Sequence, residues 1–321
     1  MLAKLEAKFS QTFFSLTDNQ FFLVKDNELV APSLRVPIEN GIPRFVNSKN
    51  YASAFGNQWN KFQKTQLDSH IGFTLSKDRL FRCIGSKNFA TLKGKRVLEA
   101  GCGAGRFTEV LLNEGCEVIS IDISTAVDAN QSNFPQNEKH LICQADINNL
   151  PFPPESFDMV LCLGVIQHTP STEQAIKSLF RHVKPGGILV IDHYRRTLSF
   201  LTRFLPIYRF VLKFLRPSDS LKFSEKLVDL FLPIHKRFCR NLLGYAIVTR
   251  FSPIVSYYHA YPQLSSSLQR EWSILDTHDS LFDHYKRLKT ISEIESILKQ
   301  VGGQNVECWK GGIGIEARCT K

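Results

Sequence analysis

The sequence predicts an open α/β fold, a mostly parallel sheet with helices on both faces, preceded by an N-terminal extension and interrupted late by a helical insertion. Three observations predict it. Val97 and Leu98 form an apolar strand that passes through Glu99 into Gly101-Cys102-Gly103-Ala104-Gly105, a glycine-rich strand-to-helix turn. Further short apolar runs recur between helical patterns: Val118 to Ile121, the stretch ahead of Ala145, Phe157 to Leu163, and Ile188 to Asp192. Finally, 321 residues of which 43% are hydrophobic can bury at least one full core.

In chain order, Met1 to Gln20 holds Lys4 and Lys8 among apolar residues and lacks the sustained apolar run of a signal peptide. Phe21 to Val24, a turn at Asp26-Asn27, Glu28 to Val30, Arg35 to Ile38 and Gly41 to Phe45 read as short strands joined by hairpins, a small β-rich module over residues 1–48. Residues 49–93 read as a helical cap, with Trp59, Phe62 and Leu67 on one helix face. The core is expected over 94–194 and 286–321, with the insertion over 195–285. In its last part Thr290 and Glu293 form a capping box, Ile294, Ile297, Leu298 and Val301 repeat at helical spacing, and Gly302-Gly303 stops the helix. Val306 to Lys310 and Gly314 to Cys319 then read as a closing hairpin. The eight cysteines show no C-x-x-C spacing and read as reduced core residues.

Three alternating glycines let the chain turn sharply and let a ligand approach main-chain N–H groups at a helix N-terminus. A dinucleotide fingerprint would require its third glycine where Arg106 stands, so the pattern is E-x-G-x-G-x-G. Val97 to Gly105 resembles the first motif of the class I S-adenosylmethionine-dependent methyltransferases, type 11 group. The later motifs follow in order: Asp122, 23 positions after Glu99; Ala145-Asp146-Ile147; Phe157 to Leu163; and Lys184-Pro185-Gly186-Gly187. The resemblance covers residues 94–194 most strongly. It implies a Rossmann-like sheet of order 3-2-1-4-5-7-6 with the last strand antiparallel, and S-adenosyl-L-methionine as cofactor. It also implies roles: Glu99 for the methionine ammonium, Gly101, Gly103 and Gly105 along methionine and ribose, Asp122 and Ile123 at the ribose, Asp146 and Ile147 at the adenine, and Leu163 on the methionine side. Arg79 or Arg82 would meet the methionine carboxylate, and Gln58, Trp59 and Gln66 would line the acceptor side.

The end of the N-terminal module resembles the tail of small zinc-ribbon modules, yet no cysteine precedes Cys83, so a zinc would have been lost and the module would be held by packing. The insertion carries nearly all of the protein's net charge of +10: twelve basic residues from Arg195 to Arg250 against Asp219, Glu225 and Asp229. Leu198, Phe200, Leu201, Phe204, Phe210, Phe214 and Leu215 are interleaved with the cations, a pattern of amphipathic helices broken at Pro206 and Pro217. Apolar bulk beside cations suits an anionic membrane surface or a lipid-like acceptor better than nucleic acid. A helical lid with solvated cations explains the same pattern.

Methyl transfer to a hydroxyl profits from a base near the carboxyl ends of the fourth and fifth strands. His168, His278 and His284 are the candidates, with His193, Tyr194 and Asp279 as further acceptor-pocket residues. No spacing is diagnostic of a metal. The expected protein is a cytoplasmic methyltransferase, peripheral to the membrane if the insertion docks there, acting on a small-molecule, glycan-precursor or lipid-like acceptor at oxygen. The alternatives are a cofactor-binding scaffold without turnover and a nucleic-acid methyltransferase.

Overall fold

The computed structural model describes residues 2–47, 50–197, 204–212, 217–239 and 241–321. It opens with a helix, Leu2–Thr12, and a strand pair, β1 (Phe14–Ser15) with β2 (Gln20–Phe21). A four-stranded antiparallel sheet follows, β3 (Leu23–Lys25), β4 (Glu28–Ala31), β5 (Leu34–Glu39) and β6 (Ile42–Pro43), in that order. Asp26 and Asn27 take φ of 51° and 60°, the twist that a two-residue hairpin loop demands. Phe9, Phe13, Phe22 and Leu29 pack into the same apolar cluster as Leu141, Cys143 and Phe152 of the core. The Phe45 N–H donates to the Gln144 carbonyl at 2.8 Å, and Arg44 pairs with Asp128. Further bonds join the module to the core, among them Phe14 N–H to the Pro151 carbonyl and Gln136 to the Gly41 carbonyl.

The central sheet has seven strands: β7 (Arg96–Ala100), β8 (Glu117–Asp122), β9 (His140–Gln144), β10 (Phe157–Cys162), β11 (Val183–Tyr194), β12 (Gln304–Gly311) and β13 (Gly314–Thr320). Their order is β9-β8-β7-β10-β11-β13-β12, with only β13 antiparallel to its neighbours, as the expected 3-2-1-4-5-7-6 topology requires. Side-chain alternation sorts the strands onto two faces. Leu98, Ile119, Val160 and Ile191 pack beneath helices Thr172–Arg181 and Ile291–Gln300, while Val97, Val118, Leu161 and Val190 pack beneath Leu75–Ile84 and Arg106–Asn113. The Thr290–Glu293 capping box forms as expected. β11 begins earlier than expected: Lys184 to Gly187 bulges inside it, because Phe157 pairs with Val183 while Met159 pairs with Ile188.

The insertion contributes helices Leu205–Leu212, Pro217–Phe238, Leu242–Phe251 and Ser266–Phe282. Pro206 and Pro217 occupy first turns, where a missing N–H costs nothing, and Pro233 lies inside the long helix. Val228, Leu232, Ile254 and Ile274 form its inner core. The readings placed on Leu198, Phe200, Leu201, Arg203, Lys213, Phe214, Leu215, Arg216 and Arg240 lie outside the described residues. Among the described residues no helix is long and apolar enough to cross a membrane. Seven cysteines are buried, Cys308 is half-buried, and none is in a disulfide.

Candidate functional site

A cavity of about 1150 Å³ runs from the carboxyl edge of the sheet to the inner faces of the insertion. Its first wall is the glycine turn. Gly101 has φ +82°, and a Cβ there would lie 2.2 Å from Val165 Cγ2, so no side chain fits. At Gly103, φ +51°, the N–H donates to Asp122 Oδ2 at 3.1 Å. Asp122 Oδ1 accepts from the Ser124 N–H and hydroxyl at 2.8 and 2.7 Å. Burial raises the Asp122 pKa against the pull of these donors. Asp146, following β9, caps the turn Ile147–Asn149 by accepting from the Asn148 N–H at 2.8 Å. Burial, with the Asp146 and Asp122 carboxylates, pushes the Tyr51 phenol well above its usual range, which keeps it a neutral donor.

The facing wall is helical and charged. Arg79 pairs with Asp192 at the end of β11, and Asp192 Oδ1 also accepts the Gly164 N–H at 2.6 Å. Arg106 donates to the Ser76 hydroxyl at 2.9 Å and to Gln66 Oε1 at 3.1 Å, and stacks 5.5 Å over Trp272. Burial and the neighbouring Arg79 charge lower its pKa to about 10. Asp276 and Asp279 project from one face of helix Ser266–Phe282 into the cavity. Burial and the Asp279 charge push Asp276 up to about 7, and burial brings Asp279 to about 6. His168 sits between the rings of Phe55 and Tyr194, each centroid 5.4 Å away, with Nδ1 3.1 Å from Asp283 Oδ2. Burial alone would raise the Asp283 pKa, but the His168 bond, Lys286 and Arg209 bring it below the usual value.

Of the residues expected at the cofactor, Gly101, Gly103, Asp122, Ile123, Asp146, Ile147, Leu163 and Arg79 line the cavity. So do Trp59, Gln66, Tyr194 and Asp279 from the acceptor set, and His168 from the candidate bases. The others do not line it, for physical reasons. Glu99 faces the helix side of the sheet beneath the turn, where Oε2 accepts from the Thr108 hydroxyl and, at 3.0 Å, the Ser120 hydroxyl, while Oε1 has no hydrogen-bond partner among the described residues. Burial pushes its pKa up to about 7, although the two hydroxyls lower it. Gly105 is the hinge into helix Arg106–Asn113, its missing Cβ facing the Phe134 ring. Arg82 is consumed in a two-pronged pair with Glu316. Gln58 is fully buried behind the wall and donates to Asp279 Oδ1 at 2.5 Å.

His193 points to the opposite face of β11 from Asp192 and Tyr194, because neighbours in a strand alternate, and meets the Thr172 hydroxyl at 3.0 Å. His278 is buried between Gln58 and Ser220, and burial lowers its pKa to about 4, so it is a neutral packing residue. His284 is exposed against the Tyr285 ring. Residues given no site role from the sequence also line the cavity, Tyr51, Arg106, Gln167 and Lys286, and so does Asp276, from the Asp276-Thr277-His278-Asp279 cluster that the sequence offers for the acceptor site. The available signals were Arg106 in a position where the dinucleotide pattern has glycine, and the i, i+3 spacing of Asp276 and Asp279. Among the described residues no group of three or more His, Cys, Asp or Glu could hold a metal ion.

Residues 98–191 match the methyltransferase domain family. The ubiquinone biosynthesis O-methyltransferase of Coxiella burnetii (strain Dugway 5J108-111) is 33% identical over 111 residues, covering 34% of this chain and 47% of that protein. The malonyl-[acyl-carrier protein] O-methyltransferase of Enterobacter lignolyticus is 32% identical over 145 residues, 45% of this chain and 53% of that one. The chain thus matches about half the length of these curated relatives. A solved structure of Haemonchus contortus phosphoethanolamine N-methyltransferase 2, in complex with S-adenosyl-L-methionine, is 19% identical with a TM-score of 0.40, covering 81% of this chain and 42% of that one.

Proposed function

Residues 98–191 belong to the class I S-adenosylmethionine-dependent methyltransferase domain family, and we propose that the chain transfers a methyl group to an oxygen of a small-molecule or lipid-linked acceptor. One observation carries the reading: Asp122, anchored by the Gly103 N–H, and His168, which is paired with Asp283, line one cavity.

The residues present suit S-adenosylmethionine. Gly101 and Gly103 leave a cradle that a Cβ would fill, and Glu99 Oε1 and Arg79 Nε are buried polar atoms without protein partners. Asp122 would accept from the ribose hydroxyls and Asp146 from the adenine amine, with Ile147 against the ring. Glu99 would answer the methionine ammonium from beneath the turn, and Arg79 Nε the carboxylate. When bound, the cofactor supplies its methyl on a sulfonium, an electrophile that needs no further activation.

The protein's remaining work is alignment, exclusion of water and proton removal. With Nδ1–H donated to Asp283, the imidazole presents Nε2 as the basic atom, able to take the acceptor hydroxyl proton. Trp59, Phe55 and Tyr194 give that region aromatic walls. The oxygen preference is supported by the curated relatives, both named as O-methyltransferases. We divide the chain accordingly into the module 1–48, the cap 49–93, the catalytic core 94–194 with 286–321, and the acceptor-selecting insertion 195–285.

Calorimetry of S-adenosylmethionine binding tests the reading. Asp122→Ala removes a charge-assisted contact and should weaken binding by roughly 1.5 to 3 kcal/mol, at least about tenfold. Unchanged affinity would remove Asp122 from the site.

A further inference from the structure

Among the described residues the outer face of the insertion presents apolar side chains that stay largely exposed. On helix Leu205–Leu212, Ile207, Phe210 and Val211 are exposed at i, i+3, i+4 spacing. On Leu242–Phe251 the exposed stripe is Leu243, Ile247 and Phe251, with Leu242 and Leu243 at 73% and 72% exposure. On Pro217–Phe238 it is Leu230, Ile234 and Phe238, four residues apart. The first two helices adjoin, with the Phe204 and Phe251 rings tilted together at 5.2 Å between centroids and the Tyr208 hydroxyl donating to the Phe251 carbonyl at 2.8 Å, and Leu242–Phe251 in turn packs against Pro217–Phe238. Single exposed apolar residues are ordinary, but three neighbouring helices each with an apolar stripe mark a surface that meets something.

Charge says what. Lys222, Lys226, Lys236 and Arg237 are exposed along the same long helix. Two of the segment's three acids are already neutralised, Glu225 by Lys61 and Asp229 by Arg270. A second copy of this chain would bring one strongly basic face onto another, and nucleic acid would leave the leucines and phenylalanines in water. An anionic bilayer satisfies both features, cations at the headgroups and apolar side chains among the upper acyl chains.

The same helices border the cavity from within. Leu205 lines it from Leu205–Leu212 and Tyr245 from Leu242–Phe251, beside Val255. We propose that this three-helix face docks on an anionic lipid bilayer, so that the acceptor half of the cavity opens at the membrane surface. The supply of a lipid-soluble acceptor from that surface rests on the methyl-transfer reading; the docking does not.

Co-sedimentation of the full chain with phosphatidylcholine vesicles, with and without phosphatidylglycerol, tests it. The protein should pellet with the phosphatidylglycerol vesicles, and less so at high salt. Replacing Ile207, Phe210 and Ile247 together by Asp should reduce partitioning by roughly a hundredfold or more. The pair Lys236→Glu and Arg237→Glu, a gentler change on the exposed surface, should reduce it roughly tenfold or more. S-adenosylmethionine binding, measured on the same preparations, should be unchanged in both variants, which separates lost docking from lost folding. No pelleting with phosphatidylglycerol vesicles while S-adenosylmethionine still binds would overturn the docking and leave the transfer reading standing. Self-association without vesicles, dissolved by the triple Asp variant, would overturn it in favour of a second copy of the chain.

Discussion

The two ends of the cavity are built from different materials. The end at the glycine turn is backbone: Gly101 and Gly103 with positive φ, main-chain N–H groups, and carboxylates held by local turns, as Asp122 is by Ser124 and Asp146 by Asn148. The end under the insertion is side chain: His168 on Asp283, Arg106 on Gln66, and Asp276 and Asp279 with raised pKa values. A backbone site is fixed when the sheet folds. A site of buried coupled charges takes its properties from how several distant segments meet, so it can be retuned for a new acceptor without disturbing the cofactor. The comparison predicts that the two ends fail separately.

The largest effect is expected from His168→Asn. It should lower kcat for methyl transfer by roughly 10²- to 10⁴-fold, the usual contribution of a general base, and leave S-adenosylmethionine affinity unchanged. A matching loss of affinity would mean that the two ends are one unit.

Next comes pH. Glu99 titrates near 7 when no cation faces it, and a bound ammonium requires its ionised form. Below that pH, binding must expel a proton, so the dissociation constant should rise as pH falls, by up to about tenfold per unit, and level off above 7. Glu99→Gln should flatten the curve; a curve unchanged in that variant would take Glu99 out of cofactor binding.

The helical end should respond in stability instead. The Asp276 pKa is raised from 3.8 to about 7 in the folded chain, so between these values the folded state holds a proton that the unfolded state has lost. Stability from this group is therefore present at low pH and lost as pH rises toward 7. Asp276→Asn should stabilise the protein by about 1–2 kcal/mol at pH 8 and hardly at all at pH 4, read from urea midpoints. Equal effects at both pH values would deny the buried carboxyl its role.

The smallest functional effect is expected from Arg82→Ala. The residue serves Glu316 outside the cavity, so kcat and cofactor affinity should change less than about twofold while the Tm falls, because the buried Glu316 loses its two-pronged partner and retains the Trp309 N–H and the more distant Arg79 charge. A tenfold loss of affinity would return Arg82 to the site.

The same contrast governs what could be read from the chain. In a parallel sheet the strand ends gather at one edge, so Gly101, Asp122 and Asp146 could each be placed from their own neighbours. Strand alternation would also have turned Glu99 under the helix and His193 away from Asp192. The acceptor end has no such grammar. Gln58 meets Asp279 across 221 positions, and nothing near either residue announces it. Consecutive helix residues face about 100° apart, which is why Asp279 lines the cavity while His278 is buried against Ser220. The N-terminal helix Leu2–Thr12 was not read from the sequence, where the first twenty residues are weighed only as a signal peptide. Nor was the β11 bulge, because Lys-Pro-Gly-Gly reads as a stop rather than as a break within a strand.

The most direct test of the central claim is transfer of labelled methyl from S-adenosylmethionine into an extract of the source cells, with His168→Asn run in parallel at saturating cofactor. The account predicts label in a small-molecule or lipid fraction with the unaltered protein and almost none with the variant. Intact cofactor binding with no label transferred above a protein-free control, or equal transfer by the variant, would contradict it.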